Sequence, residues 1–546
     1  MNHKYIPLML CLLSLNILAQ EPKQETTKPL ELPVFIIEGV EQHSLRSSIK
    51  QMPEKIAPLT SQELDSLNTT EKLQPTLLRA DRLPEHYVTN WYSTAYLKAS
   101  YGLFNTPDIS AGCRLWIDRF DIAAFAGFSM SEGDAPKSDN NKIFLELKST
   151  YVADEKYFIF GGSSTKTNFY FNTQGYNFYG IWEKPNKSFG NKVDSYDRHL
   201  TQGKFEVQSD GAFENILFSV GGNANYILGA NNSDASKYII TKDLEDTHVE
   251  GFLTIKNYWK HFLLGGNIDL NVEQFCGNSL NYFQFDGSAS YFDEKISVLA
   301  NVGFQIANNS ADISRGGLLL RGDLEYRISH LWTMNLGVST GLEKTDFEDI
   351  VSVNPYISQL MEIDHRYDIV NLKGTVLFHP DERIMISGGI NWRYSERNIS
   401  FEMDTLAEYK LIYGDGMVMD LFGESMLELS DIDKLLFKIN ININSLEDNK
   451  NLTYTPIFKL SGTYHRVFWD KFGAELTAEV ATNRYIHQNS DATLGSYLLL
   501  NLGLDYAINN FVIFMKFNNL ANMDYYIWDM YRERGIFGKV GLMWKF

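Results

Sequence analysis

The residue types that most often carry out chemistry are scattered along this chain of 546 residues. Its 11 histidines form no cluster with the spacing of metal ligands, and the chain has neither a G-x-S-x-G turn nor a phosphate-binding loop. The sequence therefore predicts no enzyme and no cofactor. Apart from Cys11, only Cys113 and Cys276 are present, which is too few for a disulfide framework, and their pairing stays open.

Aromatic side chains concentrate in residues 164–200, which we interpret as a long loop. The candidates for a ligand-binding loop outside the cell are Phe169, Tyr170, Tyr176, Tyr179 and Trp182. Alternatively, these rings extend neighbouring strands and belong to an interfacial girdle. The sequence leaves both interpretations open.

The composition narrows the class of protein. A formal net charge of −19 excludes the basic surface that nucleic-acid binding requires. No apolar run reaches the roughly 18 residues of a membrane-spanning helix. Aromatic residues make up 14% of the chain and glycine is plentiful, a mixture typical of β-structure with interfacial rings.

The first part of the chain differs from the rest. Residues 1–19 have the charged start and short apolar stretch of a secretory signal peptide. Residues 20–87 are polar and rich in proline, which predicts a mostly unstructured periplasmic or linker segment. Its exception is one apolar strand, residues 32–39.

That strand is a candidate for pairing with a periplasmic partner protein, because an exposed apolar strand favours edge pairing. Its central residues are Pro33, Val34, Phe35, Ile36 and Ile37. The alternative is that the strand docks inside the mouth of the protein's own barrel. Both remain open at this stage.

Residues 88–546 repeatedly alternate apolar and polar side chains, the pattern of strands with two different faces. In one example, Phe437, Ile439 and Ile441 alternate with Lys438 and Asn440. The polar face lacks the large side chains that build a core between two sheets. We therefore predict an all-β fold, a large antiparallel transmembrane β-barrel with lipid outside and a wet interior.

Short polar turns alternate with longer segments, the asymmetry of bacterial outer-membrane barrels. Ten short turns make ten hairpins, and one opening and one closing strand bring the predicted number to about 22. The longer segments include residues 344–366 and 521–534. An even number of strands places the N- and C-termini on the same side of the membrane, and we expect both in the periplasm.

The end of the chain resembles that of TonB-dependent receptors. The matching residues are Phe517-Asn518-Asn519-Leu520, Asn522, Tyr525-Tyr526, Arg534-Gly535 and the final strand with Trp544 and Phe546. Residues 32–39 also resemble the start of that family's plug domain. The resemblance implies a 22-strand barrel in the outer membrane. It further implies that Trp544 and Phe546 form the signal recognised by the membrane-insertion machinery.

The chain departs from the family before the barrel. Only the 68 residues 20–87 separate the signal peptide from the barrel, so we expect the plug domain to be reduced or absent. The tail, infolded loops, a separate plug protein or water would then fill the lumen. We expect uptake or permeation of an unidentified small hydrophilic solute across the outer membrane. The alternative is a non-transporting scaffold that binds partner proteins through its tail and loops.

Overall fold

The computed structural model describes residues 95–157, 160–180, 197–232, 243–381, 383–404 and 407–546. All of them belong to one compact unit, Pro84–Phe546. Twenty-two antiparallel strands form a single closed sheet, which confirms the predicted fold class and strand number. The described part of the chain contains no helix long and apolar enough to cross a membrane.

The barrel strands follow one another in chain order, each hydrogen-bonded to the next. They are β1 (Ala95–Gly102), β2 (Thr106–Ile117), β3 (Phe120–Ser131), β4 (Asn140–Val152), β5 (Ser164–Asn177), β6 (Asp197–Phe213), β7 (Ile216–Asn232), β8 (Leu244–Trp259), β9 (Phe262–Phe275), β10 (Asn278–Phe292), β11 (Ile296–Asn308), β12 (Ser314–Arg327), β13 (Trp332–Glu343), β14 (Arg366–Asp381), β15 (Ile384–Met403), β16 (Tyr409–Ser430), β17 (Asp433–Leu446), β18 (Phe458–Phe468), β19 (Phe472–Ala481), β20 (Tyr497–Ile508), β21 (Phe511–Asn518) and β22 (Phe537–Lys545).

The first and last strands close the barrel by pairing with each other. Tyr96 lies opposite Lys545, and Gly102 lies opposite Lys539. Two backbone hydrogen bonds of 2.9 and 3.0 Å continue the ladder between Ala95 and Phe546. Closure leaves no unpaired edge in the sheet. A sheet in a membrane must have no such edge, because lipid offers no hydrogen-bond partners to its backbone groups.

Side chains alternate between a lipid face and a lumen face as the sequence predicts. On β17, Phe437 and Ile443 are more than two-fifths exposed on the outer face, whereas Asn442 is buried on the inner face. The Asn442 amide donates to the Asp420 carboxylate on the neighbouring strand. Polar groups thus satisfy each other on the lumen side.

Several strands run further than the sequence analysis expects. The prediction of a loop over residues 164–200 was wrong at both of its ends, because Ser164–Asn177 and Asp197–Phe213 are strands that pair with each other. Residues 181–196 lie outside the described residues. Asn and Gly residues are uncommon in strands, but here they continue the ladder beyond the apolar band, because pairing with the neighbouring strand determines the conformation there.

The connection between β13 and β14, residues 344–365, contains the helix α1 (Phe347–Val353). Asp346 caps this helix by accepting a hydrogen bond from the Asp349 N–H. The apolar side chains Phe347, Ile350 and Ile357 are buried, so this connection packs into the structure and does not extend into solvent.

Candidate functional site

The lumen wall carries charges of both signs in close pairs. The pairs on inward-facing positions include Lys204–Glu206 at 2.9 Å, Lys438–Glu424 at 3.3 Å, Lys459–Glu479 at 3.2 Å and Lys539–Asp108 at 2.9 Å. Pairing balances the field along the wall although the whole chain is strongly acidic.

Residues 344–365, called the lid from here on, cross the lumen near the ends of the longer connections. The Tyr176 hydroxyl on β5 donates to the Pro355 carbonyl at 2.7 Å, and Arg198 Nη1 on β6 donates to the Ile357 carbonyl at 2.6 Å. β5 lies eight positions and β6 seven positions around the barrel from β13, where the lid begins. The lid therefore spans the mouth of the barrel.

Arg198 joins three parts of this mouth although its side chain has no exposed surface. Besides the lid, its guanidinium donates to the Asn231 amide oxygen at 2.9 Å and to Glu408 Oε1 at 3.3 Å. It also lies 4.5 Å from the centre of the Phe178 ring, a cation–π contact. A buried guanidinium is stable only with such partners, so they hold the lid in one position.

Aromatic rings pack around the lid and form a continuous layer. This aromatic cap consists of Tyr176, Phe178, Tyr179, Tyr356, Tyr409, Trp528 and Tyr531. Tyr356 of the lid stacks on Tyr531 with ring centres 3.6 Å apart, and Tyr409 meets Trp528 at 5.1 Å. Burial raises the pKa of Tyr356 well above its ordinary value, so its hydroxyl stays neutral.

Hydrogen bonds also connect the cap to backbone groups of distant segments. The Tyr531 hydroxyl donates to the Ala407 carbonyl at 2.7 Å, and the Tyr409 hydroxyl donates to the Asp529 carbonyl at 2.9 Å. Tyr409 and the lid are further joined by two backbone hydrogen bonds of 2.7 Å, with Ser358 and with Tyr356. The cap therefore couples the lid to two other connections, the one between β15 and β16 and the one between β21 and β22.

The α1 end of the lid is tied to the acidic and amide side chains of β6 to β9. The Phe347 N–H donates to Glu273 Oε1 at 2.9 Å. Glu348 accepts hydrogen bonds from Gln202 at 3.0 Å and Asn225 at 3.2 Å. The Lys344 ammonium lies 3.2 Å from the Glu250 carboxylate. Polar contacts therefore hold this end of the lid, in contrast to the aromatic contacts of its middle.

The two ends of the lid meet at a buried histidine. The Thr345 N–H donates to His365 Nδ1 at 3.1 Å, which requires this nitrogen to be unprotonated. Burial lowers the pKa of His365, so the neutral imidazole is the form that fits the closed lid. Next to it, Asp364 pairs with Arg397 and accepts a 2.9 Å hydrogen bond from Asn309.

The structure divides the aromatic residues of the predicted binding loop. Tyr176 and Tyr179 belong to the aromatic cap, whereas Phe169 lies on the outer face of the barrel and is 39% exposed. Phe169, Tyr170 and Tyr176 are strand residues, so their placement in a loop was wrong. Trp182 lies outside the described residues. A role of these rings in binding a ligand stays a prediction.

The remaining candidates lie at the closing strand or before the barrel. Trp544 packs against Phe511 at 6.0 Å and against Phe546 at 4.6 Å, all on the outer face. Their role in membrane insertion stays a prediction.

The predicted strand segment Pro33, Val34, Phe35, Ile36 and Ile37 lies outside the described residues. Cys113 and Cys276 are both free thiols.

Sequence reasoning missed the residues that hold the lid in place, among them Arg198, Glu273 and Tyr356. Their partners come from other connections and other strands, and no local pattern marks them. In the described ranges, no group of three or more His, Cys, Asp or Glu side chains is arranged to hold a metal ion.

Comparison with known proteins identifies the fold. No protein-family model and no characterised protein matches the sequence. Solved structures do match, among them the FrpB iron transporter from Neisseria meningitidis (F3-3 variant), with a TM-score of 0.64 at 8% identity, covering 83% of this chain and 81% of that one. The barrel has the fold of TonB-dependent receptors. Residues 95–546 make up 83% of the chain, which is the share that the structural alignment covers.

Two further matches have the same extent. The copper transporter OprC aligns with a TM-score of 0.64 at 10% identity, covering 83% of this chain and 80% of that one. The siderophore receptor PirA from Acinetobacter baumannii aligns with a TM-score of 0.61 at 10% identity over the same shares. All three are named as transporters or receptors. The fold and the apolar band on the outer face together indicate that this chain is an outer-membrane barrel.

Proposed function

We propose that this protein takes up or lets through a small hydrophilic solute across the outer membrane, and that the lid gates the passage. The observation that carries this proposal is the lid itself, which crosses a polar lumen and is held by hydrogen bonds from β5 and β6. The lid lies at the outer mouth, and both chain termini lie in the periplasm.

The width of the barrel supports a passage. A sheet of 22 strands encloses more space than its own side chains fill, so the lumen accommodates other chain segments, solute or water. Paired charges along the wall keep that space hydrated. The names of the structural neighbours, which include iron, copper and siderophore transporters or receptors, agree with solute uptake and leave the solute of this protein undefined.

The segment before the barrel adds a partner to the proposal. The apolar run in this polar segment, Pro33, Val34, Phe35, Ile36 and Ile37, has a sequence that suits strand addition to a periplasmic protein. A separate plug protein is one candidate for that partner. Crosslinking from a photoreactive residue at Phe35 in intact cells identifies the partner, and labelling only the barrel itself would contradict this part of the proposal.

Liposome swelling tests the passage. Barrels in which a short Gly-Ser linker replaces residues 347–361 should admit neutral hydrophilic solutes, and the wild type should admit them much more slowly. Arg321→Ala, a lumen variant remote from the lid, serves as the matched control and should behave like the wild type. Equal exclusion by the wild type and the lid-deleted barrel would contradict a passage and favour a scaffold role.

A further inference from the structure

We propose that one sector of the lumen wall binds an oligosaccharide that carries carboxylate groups. Four aromatic side chains, called the aromatic track, lie on the lumen face of this sector: Tyr96 on β1, Phe125 on β3, Phe144 on β4 and Tyr170 on β5. Strand alternation places them on the face of the wall charges, for example Phe144 with Glu146 on β4. All four are half-buried, so part of each ring is open to the lumen.

The register of the sheet joins these rings into one surface. Tyr96, Gly112 and Phe125 are paired in one row across β1 to β3, and the row continues through Glu146 to Tyr170. Tyr96 and Tyr170 are separated by four interstrand spacings of roughly 4.8 Å each, which is about 19 Å in total. Strands of such barrels tilt by about 35–45°, so a row perpendicular to them is inclined to the barrel axis and follows the lumen. The aromatic track is therefore long enough for more than one sugar ring.

Glycines allow the rings to lie close against the backbone. The position that a Cβ atom would occupy at Gly112 is 2.5 Å from Tyr96 Cε1 and 2.7 Å from Phe125 Cδ1, so the two rings cover this residue together. Phe144 covers Gly127 in the same way. A ring that covers the backbone with one face turns its other face to the lumen, where the apolar C–H face of a sugar ring can stack on it.

A single ring on a glycine is not by itself a binding surface. Phe422 on β16 also covers a glycine of the lumen face, with its Cζ 2.7 Å from the position of a Cβ at Gly389. The residues before and after it on that face are Asp420 and Glu424. Phe422 therefore offers a ligand one ring between two carboxylates, whereas the aromatic track offers several neighbouring rings. Neighbouring apolar side chains that are exposed to water mark a binding surface.

Polar side chains between the rings provide hydrogen bonds for hydroxyl groups. Glu146 lies between Phe125 and Tyr170 in the row, and Ser110 lies next to Gly112 on the lumen face of β2. A carboxylate accepts hydrogen bonds, and a hydroxyl group both donates and accepts them. Rings for stacking, with donors and acceptors beside them, suit a sugar better than a purely aromatic solute.

Basic side chains outnumber acidic ones around the aromatic track. The acidic residues of β1 to β5 are Asp108, Asp121 and Glu146, and the basic residues of these strands are Lys98, Arg114, Lys142, Lys148 and Lys166. This excess of positive charge contrasts with the formal net charge of −19 of the whole chain. A solute with carboxylate groups is complementary to this sector.

One lysine lies where stacking and charge meet. The Lys148 Nζ is 5.9 Å from the centre of the Phe125 ring and 2.8 Å from Glu146 Oε1. The Lys148 side chain is 53% exposed, so a carboxylate of the solute can reach its ammonium group. A sugar acid stacked on Phe125 therefore has a cation beside its ring.

Calorimetry on the full chain, in a detergent without a sugar headgroup, tests the inference. Trigalacturonate is the probe, and its methyl ester is an uncharged counterpart with the same sugar rings. Trigalacturonate should bind, and esterification should weaken binding at least about tenfold, because it removes the charge that the lysines attract. Equal binding of the two compounds, or no trigalacturonate binding at millimolar concentration, would overturn the inference.

Variants separate stacking from packing. Phe125→Leu keeps an apolar side chain without the flat ring and should weaken trigalacturonate binding about tenfold, whereas Tyr96→Phe keeps its ring and should bind like the wild type. Phe422→Leu makes the matched change outside the aromatic track and should leave binding unchanged. Unchanged binding by folded Phe125→Leu protein would overturn the inference. The inference rests on the proposed function, whose solute class it names, but binding in micelles needs no transport, so either proposal can fail separately.

Discussion

Arg198 Nη1 donates a 2.6 Å hydrogen bond to the backbone carbonyl of Ile357, which joins the barrel wall to the middle of the lid. Arg198 comes from β6 and Ile357 from the connection between β13 and β14, so the bond crosses the lumen. The same guanidinium reaches Glu408 at 3.3 Å on a third segment. One buried side chain therefore fixes the relative positions of three segments at the mouth.

Replacing Arg198 should release the lid. In Arg198→Ala, the buried Glu408 carboxylate loses its ion pair with the guanidinium, a change that costs about 3–5 kcal/mol in buried ion pairs. We expect the lid region to unfold at a lower urea concentration. Hydrogen exchange of the Ile357 and Ser358 amides, followed at increasing urea concentrations, measures this midpoint. Arg321→Ala removes an exposed arginine that pairs with Asp323 and provides the control. Equal exchange in both variants would show that Arg198 does not hold the lid.

The stack of Tyr356 on Tyr531 should protect the lid from proteases. Removing the ring in Tyr356→Ala leaves a cavity in the cap and costs about 3 kcal/mol, typical of a buried aromatic side chain. Protease added outside intact cells should then cut the lid faster than in the wild type. Tyr356→Phe keeps the stacked ring and should resist cleavage. Equal cleavage rates in the two variants would contradict a structural role of the stack.

The lid should loosen in acid because of His365. Burial lowers the pKa of His365, and the lone pair of Nδ1 accepts the Thr345 N–H, so the closed lid favours the neutral ring. This stabilisation is complete above the ordinary histidine pKa of about 6.5 and disappears as the pH falls through the lowered pKa. The nearby Asp346 opposes this effect and Lys344 adds to it.

Conductance measured from neutral to acidic pH checks this expectation. The wild-type current should increase as the pH falls below the ordinary histidine pKa of about 6.5, because a histidine of lowered pKa gains its proton there. His365→Gln keeps an oxygen acceptor without a titratable group, so its current should depend less on pH. The same pH profile in both proteins would assign the response to other groups, such as the carboxylates of the lumen wall.

The closing strand should decide how efficiently the barrel inserts. Trp544 and Phe546 lie on the outer face with their rings in contact at 4.6 Å. Replacing both with alanine should lower the folded fraction in the outer membrane several-fold, measured by heat-modifiable migration in gels. Met543→Ala changes the lumen face of the same strand and should insert normally. Normal insertion of the double variant would contradict the predicted signal.

The sequence predicted the barrel because its physical cause is local. Each strand must present apolar side chains to lipid at every second position, so the alternation marks the strands. Counting the short turns between them then predicts the number of strands. The connection 344–366 was also identified as long. The strand ends beyond the apolar band were missed because lipid no longer imposes a pattern there.

The infolded lid was predicted only as one of several ways to fill the lumen. Its contacts join residues far apart in the chain, such as Arg198 with Glu408 and Tyr531 with Ala407. No sequence period marks such pairs. A single arginine on β6, a strand that also carries Asp, His, Lys and Glu residues, looks like another lumen charge until its burial is known.

Single-channel conductance in planar bilayers tests the central claim, that the lid gates the lumen, most directly. The wild type should stay closed for most of the recording, with brief openings. The barrel with a short linker in place of residues 347–361 should conduct steadily, and Arg198→Ala should open more often than the wild type. Identical currents from the wild type and the lid-deleted barrel, whether both silent or both open, would contradict the claim.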